Sequence, residues 1–568
     1  MSLQTISKAV DDKVNELMKK HQQVLEKSVD AVFKKEFFSQ YPEIPKAYPS
    51  ENHDKDLETF KQQHGSAFDR LVQTGDQQLE SAEESPYTRK KLGITYAAFS
   101  NPETYIQNAQ QALKTWKKVS PQARAAILIE SLERMKENFF EVAYSTMHTT
   151  GQAYMMSFQA SGPHAADRAL EAVALGYREL TRFPNEVRWD KPVGKDKTAN
   201  IEKFYIHVPK GVALSIGCST FPVWNSVPGI YASLITGNPV IVKPHPMSIY
   251  PIALVVGYIQ QVLKEVELDP HTIQLAPDRP DNLITKTLAE DDAVKIIDFT
   301  GSSSFGDYVE NLEGKQTFTE KAGVNSVIID GVKDLKKMGQ NMAFSVSLYS
   351  GQMCTAPQNF FIPKDGIDGP EGKISYEEAV KALTASIKGL CSHEKAGPAV
   401  CGAIQSEATA DRAAKADKLG GKVLLESFKI ENPDFPDART ASPTVLEVPA
   451  DKRELFEKEM FGPILFVVPT ESTEQSVELA KELASKHGAI SCAAYTTNPD
   501  AMQMIADEMA ESYTSVGFNL YGQVYVNQNA GFSDPHVSGG NPAGNASFTN
   551  PEFIVKRFTT VAMKMDAE

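Results

Sequence analysis

The residue most able to do covalent chemistry in this sequence is Cys354, in Ser-Gly-Gln-Met-Cys-Thr-Ala-Pro at 350–357. A free thiol titrates at about 8.5, so a few per cent is thiolate at neutral pH, and that fraction is a strong nucleophile. A helix N-terminus or a cationic neighbour enlarges it. Thirty-four residues upstream stands Glu320, in Thr-Glu-Lys-Ala-Gly-Val-Asn at 319–325, a carboxylate placed to act as a base ahead of an apolar strand. Phe-Thr-Gly-Ser-Ser-Ser-Phe-Gly at 299–306 can hold an anion, because unpaired amides and the dipole of a starting helix face the ligand. It is not a Walker A loop, since Asp307 stands where Lys is required, and Ser303 replaces the middle glycine of the usual dinucleotide fingerprint. Lys243, in Lys-Pro-His-Pro at 243–246, can reach ribose hydroxyls from a strand tip. Each of these has a plainer alternative: a buried structural cysteine, a surface acid, an ordinary strand-to-helix turn, a solvated lysine. Their order and spacing say more than any one alone.

The elements that must position them follow from hydrophobic periodicity. Between 209 and 306 the chain alternates short apolar runs (212–216, 240–242, 272–275, 294–299) with helical stretches, the first closing at Gly237-Asn238. This pattern means βαβ units and a parallel sheet, with ligands at the carboxyl ends of the strands. A second alternating region runs from about 324 to 510. Helical periodicity marks 5–38 and 102–175, prolines break the chain at 42, 45 and 49, and 50–95 is polar. That leader reads as an appendage packed on the body, or as a partly ordered arm. The tail at 553–565 alternates like a strand.

A chain of 568 residues can bury a large core. Its net charge of −15 disfavours nucleic acid and anionic membranes as partners. Five scattered cysteines, none with zinc-knuckle spacing, fit a reducing cytosol and no metal site. No apolar run approaches a membrane span, and 1–12 is too polar for a signal peptide. A cytoplasmic location is expected.

Taken in order, these motifs, with Thr220 twenty-three residues before Lys243 and Glu-Met-Phe-Gly-Pro at 459–463, resemble the aldehyde dehydrogenase superfamily from about residue 100 onward. The resemblance implies an α/β fold with two parallel-sheet domains, a β-strand oligomerisation element and a helical N-terminal extension. The expected bounds are 1–95 for the extension and 96–318 for the nucleotide-binding domain, with oligomerisation strands at about 188–208. The catalytic domain is expected at 319–520, and a return segment with the C-terminal strand at 521–568. Cys354 takes the place of the nucleophile and Glu320 that of the general base. Lys243 resembles the adenosine-ribose ligand, while Gly301, Ser302 and Gly306 resemble the pyrophosphate turn. Glu459 resembles the nicotinamide-ribose ligand, with Phe461 beside the ring. The segments 148–152, 319–325, 349–358 and 541–545 are similar to the phenylacetic acid degradation branch, PaaN type. That likeness implies a semialdehyde from ring opening, carried as a CoA thioester, and a homodimer or homotetramer joined through 199–208 and 553–565.

Two departures matter. The superfamily's oxyanion asparagine is replaced by Thr220, whose hydroxyl donates but reaches less far. The expected order of oxyanion donors is Thr220, the Cys354 backbone, then Asn225. Where many NAD-preferring members carry a glutamate, this chain has Pro246, after His245. The repulsion of a 2′-phosphate is absent, so the expectation is NADP or NAD, leaning to NADP with Lys243 and His245 facing the phosphate. The expected reaction is oxidation of an aldehyde through a cysteine thioester that Glu320 helps hydrolyse. The rivals are acyl transfer to free CoA and an idle nucleotide-binding scaffold.

Overall fold

The computed structural model describes residues 8–522, 524–526, 531–532 and 536–567. Its centre is two parallel sheets. The first has five strands in the order Gln316–Glu320, Val294–Thr300, Val212–Ile216, Val240–Lys243, Ile273–Leu275, all parallel. The four apolar runs read from the sequence are four of these strands, Gln316–Glu320 being the one not read, and Val212–Ile216 and Val240–Lys243 are buried throughout, as strands covered on both faces must be. The last strand of this sheet ends at Glu320, past the expected boundary at 318.

The second sheet has seven strands. Asn325–Ile329 and Pro357–Pro363 are neighbours at its middle, and only Lys422–Leu425 at one edge runs antiparallel to its partner. A third sheet is antiparallel: Lys197–Pro209 lies between Glu186–Gly194 and Phe558–Asp566. The tail is therefore a strand only from Phe558. Phe553 and Val555, expected in it, belong to a short helix, Pro551–Val555, that starts with proline at its first position and buries Phe553 and Ile554.

Among the described residues the leader is folded, not an arm. Helix Lys8–Lys34 lies on helix Pro121–Lys136, and residues 5–7 of the expected helix fall outside the described residues. The polar stretch after it supplies helix Ser50–Gln63 and a three-stranded sheet. Val14, Leu25, Val32, Phe60 and Tyr96 join one core with Leu128, Val255 and Ile259. Polarity hid this order because its buried apolar side chains are widely spaced. Among the described residues no helix is long and apolar enough to cross a membrane.

Candidate active site

Cys354 lies in the loop just before strand Pro357–Pro363. Asn325, at the start of the neighbouring strand, holds that loop. Its Nδ2 donates to the carbonyls of Cys354 (2.8 Å) and Ala356 (3.0 Å), while its Oδ1 accepts from the amides of Ile490 and Ser491, both at 3.0 Å. Ahead of the thiol, Tyr349, Ser350 and Gly351 are all left-handed, with φ of 52°, 51° and 66°. Such backbone costs a non-glycine residue on the order of 1–3 kcal/mol and persists only when over-determined. Here Ser350 Oγ donates to Cys401 O at 3.0 Å, and Gln352 Nε2 donates to Tyr349 O (3.1 Å) and Ala403 O (3.0 Å). At position 351 only glycine fits, since a Cβ would sit 2.5 Å from Gly462 O.

Glu320 reaches the thiol from the edge of the first sheet. Its Oε2 accepts from Asn225 Nδ2 at 3.0 Å and its Oε1 from His536 Nε2 at 3.0 Å. The same His536 Nε2 is 3.3 Å from Cys354 Sγ. Thiol, imidazole and carboxylate thus meet at one nitrogen. Burial, and after it the Glu320 charge, pushes the Cys354 thiol well above its ordinary value. Burial also pushes the Glu320 carboxyl up, but the charge and hydrogen bond of His536, with the Cys354 hydrogen bond and the Arg168 charge, together outweigh it and leave that pKa below the usual value. Arg168 adds a buried cation, its guanidinium 3.7 Å from the centre of the Trp224 ring, and burial lowers its pKa only to about 10.

Two cavities meet at this cluster. One, of about 420 Å³, is mainly apolar, with Met155, Met156, Phe221, Trp224 and Phe344 in its wall beside Cys354. The other, of about 60 Å³, has Ser215, Ile216, Thr300 and Glu320 in its wall, at the carboxyl ends of the first sheet. Asn225 and His536 line both. Thr220 lines neither, and its carbonyl accepts from Gln152 Nε2 at 2.8 Å.

The remaining expected residues stand at strand ends. Helix Ser303–Glu310 starts after Ser302, and no side chain caps it, so its first-turn amides are open to an anion. Gly301 and Gly306 are needed for packing: a Cβ would lie 2.7 Å from the Phe299 ring at the first and 2.4 Å from Lys321 Cδ at the second. Lys243 is buried, with Nζ 2.7 Å from Asp278 Oδ1. His245 is pushed down to about 4, by burial first and then by Lys243, so its ring is neutral at pH 7. Glu459 Oε1 accepts from the Gly323 amide at 3.4 Å, and burial raises its pKa to about 7. The Phe461 carbonyl accepts from Arg412 Nη1. An uncapped helix start, a strand-tip lysine beside a carboxylate and a second acid form a donor set that fits a dinucleotide.

A sequence model of the aldehyde dehydrogenase family matches residues 73–560. The chain belongs to the aldehyde dehydrogenase family. A solved NAD-dependent aldehyde dehydrogenase from Burkholderia multivorans is 41% identical, with a TM-score of 0.94 over 97% of this chain and 99% of that one. Alpha-ketoglutaric semialdehyde dehydrogenase of Bacillus subtilis (strain 168) is 23% identical over 72% of this chain and 79% of its own length. An NADP-dependent glyceraldehyde-3-phosphate dehydrogenase from Bacillus halodurans C-125, solved with NADP, shares the fold at 18% identity, with a TM-score of 0.69 over 86% of this chain and 96% of that one. The family's α/β architecture is the one observed.

Sequence reasoning missed His536 and Arg168. The histidine comes from 182 residues beyond the cysteine, in Gly-Phe-Ser-Asp-Pro-His at 531–536, which carries no spacing signal. Arg168 sits within helix Ala165–Thr181, where an arginine ordinarily reads as solvated.

Proposed function

We propose that this chain oxidises an aldehyde to its carboxylic acid, with Cys354 as nucleophile and Glu320 as the base for hydrolysis. The observation that carries the reading is the meeting of Cys354, His536 and Glu320 at the wall between the two cavities. Glu320 takes the thiol proton, and the thiolate, steadied by the His536 Nε2–H, attacks the carbonyl carbon; Glu320 passes that proton to solvent before the hydrolytic step. Asn225 replaces Thr220 as the favoured side-chain donor to the oxyanion, since its amide lines the cavity beside Cys354. The Cys354 backbone N–H is the second donor.

A bound nicotinamide would supply the hydride acceptor. Lys243, the turn at Gly301, Ser302 and Gly306, and Glu459 with Phe461 are the residues that would hold the dinucleotide. The lean to NADP loses its support: Lys243 pairs with Asp278 and His245 is neutral, so neither charge faces a 2′-phosphate. We favour NAD, in keeping with the 41%-identical relative. After oxidation the acyl group remains on Cys354 as a thioester. Glu320 takes a proton from water, which releases the acid. A carboxylate kept in contact with the thiol favours hydrolysis over transfer to free CoA.

The apolar cavity favours a neutral carbon chain or ring over a charged substrate. The specific substrate we put forward is a ring-opening semialdehyde of phenylacetate breakdown, with a neutral pantetheine arm in the cavity and the CoA phosphates outside it. It rests on the four PaaN-like segments. A cytoplasmic site is proposed because all five cysteines are free thiols.

Single-turnover kinetics test the reading. With NAD and a panel of apolar and CoA-linked semialdehydes, Glu320→Gln should give a burst of about one reduced cofactor per site and then stall. Cys354→Ala should give none. Sustained turnover by Glu320→Gln, or any burst from Cys354→Ala, overturns the assignment.

A further inference from the structure

Glu320, Cys354 and His536 each present one donor atom, and the three atoms lie within 4.8 Å of one another. Sγ and Nε2 are 3.3 Å apart, and Nε2 and Oε1 are 3.0 Å apart. A tetrahedral zinc ion, with bonds of about 2.0–2.3 Å, separates S, N and O donors by roughly 3.3–3.6 Å. The Sγ–Nε2 and Nε2–Oε1 pairs therefore need to open by only a few tenths of an ångström to hold one, and the sulfur and the carboxylate oxygen already lie within 4.8 Å of each other. We propose that they form a reversible Zn²⁺ site that closes the enzyme when filled.

The donor set selects the metal. Thiolate, imidazole and carboxylate together suit a borderline-soft ion and exclude Mg²⁺ and Ca²⁺, which take oxygen ligands. Three protein ligands leave a fourth position, which opens onto the 420 Å³ cavity that Cys354 and His536 line and that gives the ion its way in. Outer-shell support is present: Asn225 Nδ2 holds Glu320 Oε2 at 3.0 Å, fixing the carboxylate with Oε1 toward the imidazole. Binding displaces the thiol proton to solvent, and the imidazole proton moves from Nε2 to Nδ1 as Nε2 turns from donor to ligand, so the sulfur becomes a zinc thiolate and one net proton leaves. Affinity thus rises with pH. The buried Arg168 guanidinium, which interacts with the Glu320 and Cys354 charges, opposes a dication here and makes occupancy reversible, unlike that of a structural zinc. A filled site takes away the nucleophile and the hydrolytic base together.

This inference shares Cys354 and Glu320 with the proposed function, so the test uses a readout independent of turnover. The metal-free full-length chain is titrated with Co²⁺. One equivalent should give the near-ultraviolet thiolate-to-cobalt band and the intense visible bands of a tetrahedral ion. Zn²⁺ should displace it, protect Cys354 of the wild type from iodoacetamide and inhibit reversibly, with recovery on chelation. Mg²⁺ should do none of these. His536→Gln should weaken Zn²⁺ by on the order of 100-fold or more, since outer-shell losses alone cost about 10–100-fold. Zinc affinity unchanged in His536→Gln, or a wild type with no cobalt–thiolate band, overturns the site. A chain that binds Co²⁺ in this way yet turns over no aldehyde keeps the metal site and loses the proposed function; the reverse result keeps only the function.

Discussion

Cys354 and Glu320 are in electrostatic conflict. Two anions in contact in a buried site raise each other's proton affinity, and neither then serves well at pH 7. His536 eases this on the carboxylate's side, where it helps hold the Glu320 pKa below its usual value, and its Nε2–H faces the sulfur as well. It follows that His536→Phe, which keeps an aromatic ring against Trp224 but removes the nitrogen, should raise the thiol pKa. Alkylation of Cys354 by iodoacetamide at pH 7 should slow about tenfold or more, with its pH midpoint displaced upward. Rate–pH curves that superimpose for the two proteins would sink the role. The thiol and the carboxylate were legible in the sequence because residue type and spacing identify them together. The histidine was not, because a single imidazole in a stretch of sequence without period or motif gives no signal, and only folding brings it to the sulfur.

Alternation of apolar runs and helices was enough to read the parallel sheet at 212–300, since buried strands are short and continuous. The same reasoning failed for the leader, where burial is sparse and polar contacts do part of the anchoring. Ser39 Oγ donates to Asp167 Oδ2 at 2.7 Å and the Gln40 amide to Oδ1 at 3.0 Å, tying the segment after the first helix to helix Ala165–Thr181. Burial pushes the Asp167 carboxyl up to about 7 in spite of those bonds. In the unfolded chain an aspartate titrates at about 3.9, so between the two values the native state holds the proton more tightly. Its contribution to stability is complete below the unfolded value and is lost as pH rises through the folded one. Asp167→Asn, whose amide oxygen still accepts from Gln40, removes that dependence. Thermal unfolding from pH 4 to 7 should show wild type losing stability relative to Asp167→Asn, each unit of displacement being worth at most about 1.4 kcal/mol. A constant difference across that range contradicts the assignment.

Over the whole molecule, the antiparallel sheet of Glu186–Gly194, Lys197–Pro209 and Phe558–Asp566 stands out, because its strands are half-buried or exposed along most of their length. Val561, Met563 and Met565 alternate along the last strand at 43%, 49% and 53% exposure, so one face carries an apolar stripe. Val561 and Met563 pair across it with Ile206 and Phe204. A ribbon this long, with two open edges and an apolar face, is what a soluble protein covers with another chain. The sequence showed its two halves as candidate pairing strands, but their register needs residues about 350 positions apart or more to meet. We therefore expect a homodimer or a pair of dimers joined here. The double change Val561→Lys with Met563→Lys places two charges on the stripe without touching the two central sheets or the thiol. Sedimentation at micromolar concentration should show the mass per particle fall at least twofold, with far-ultraviolet circular dichroism unchanged. An undiminished assembly would mean that subunits meet on some other face, and that the stripe is covered by contacts other than this ribbon's.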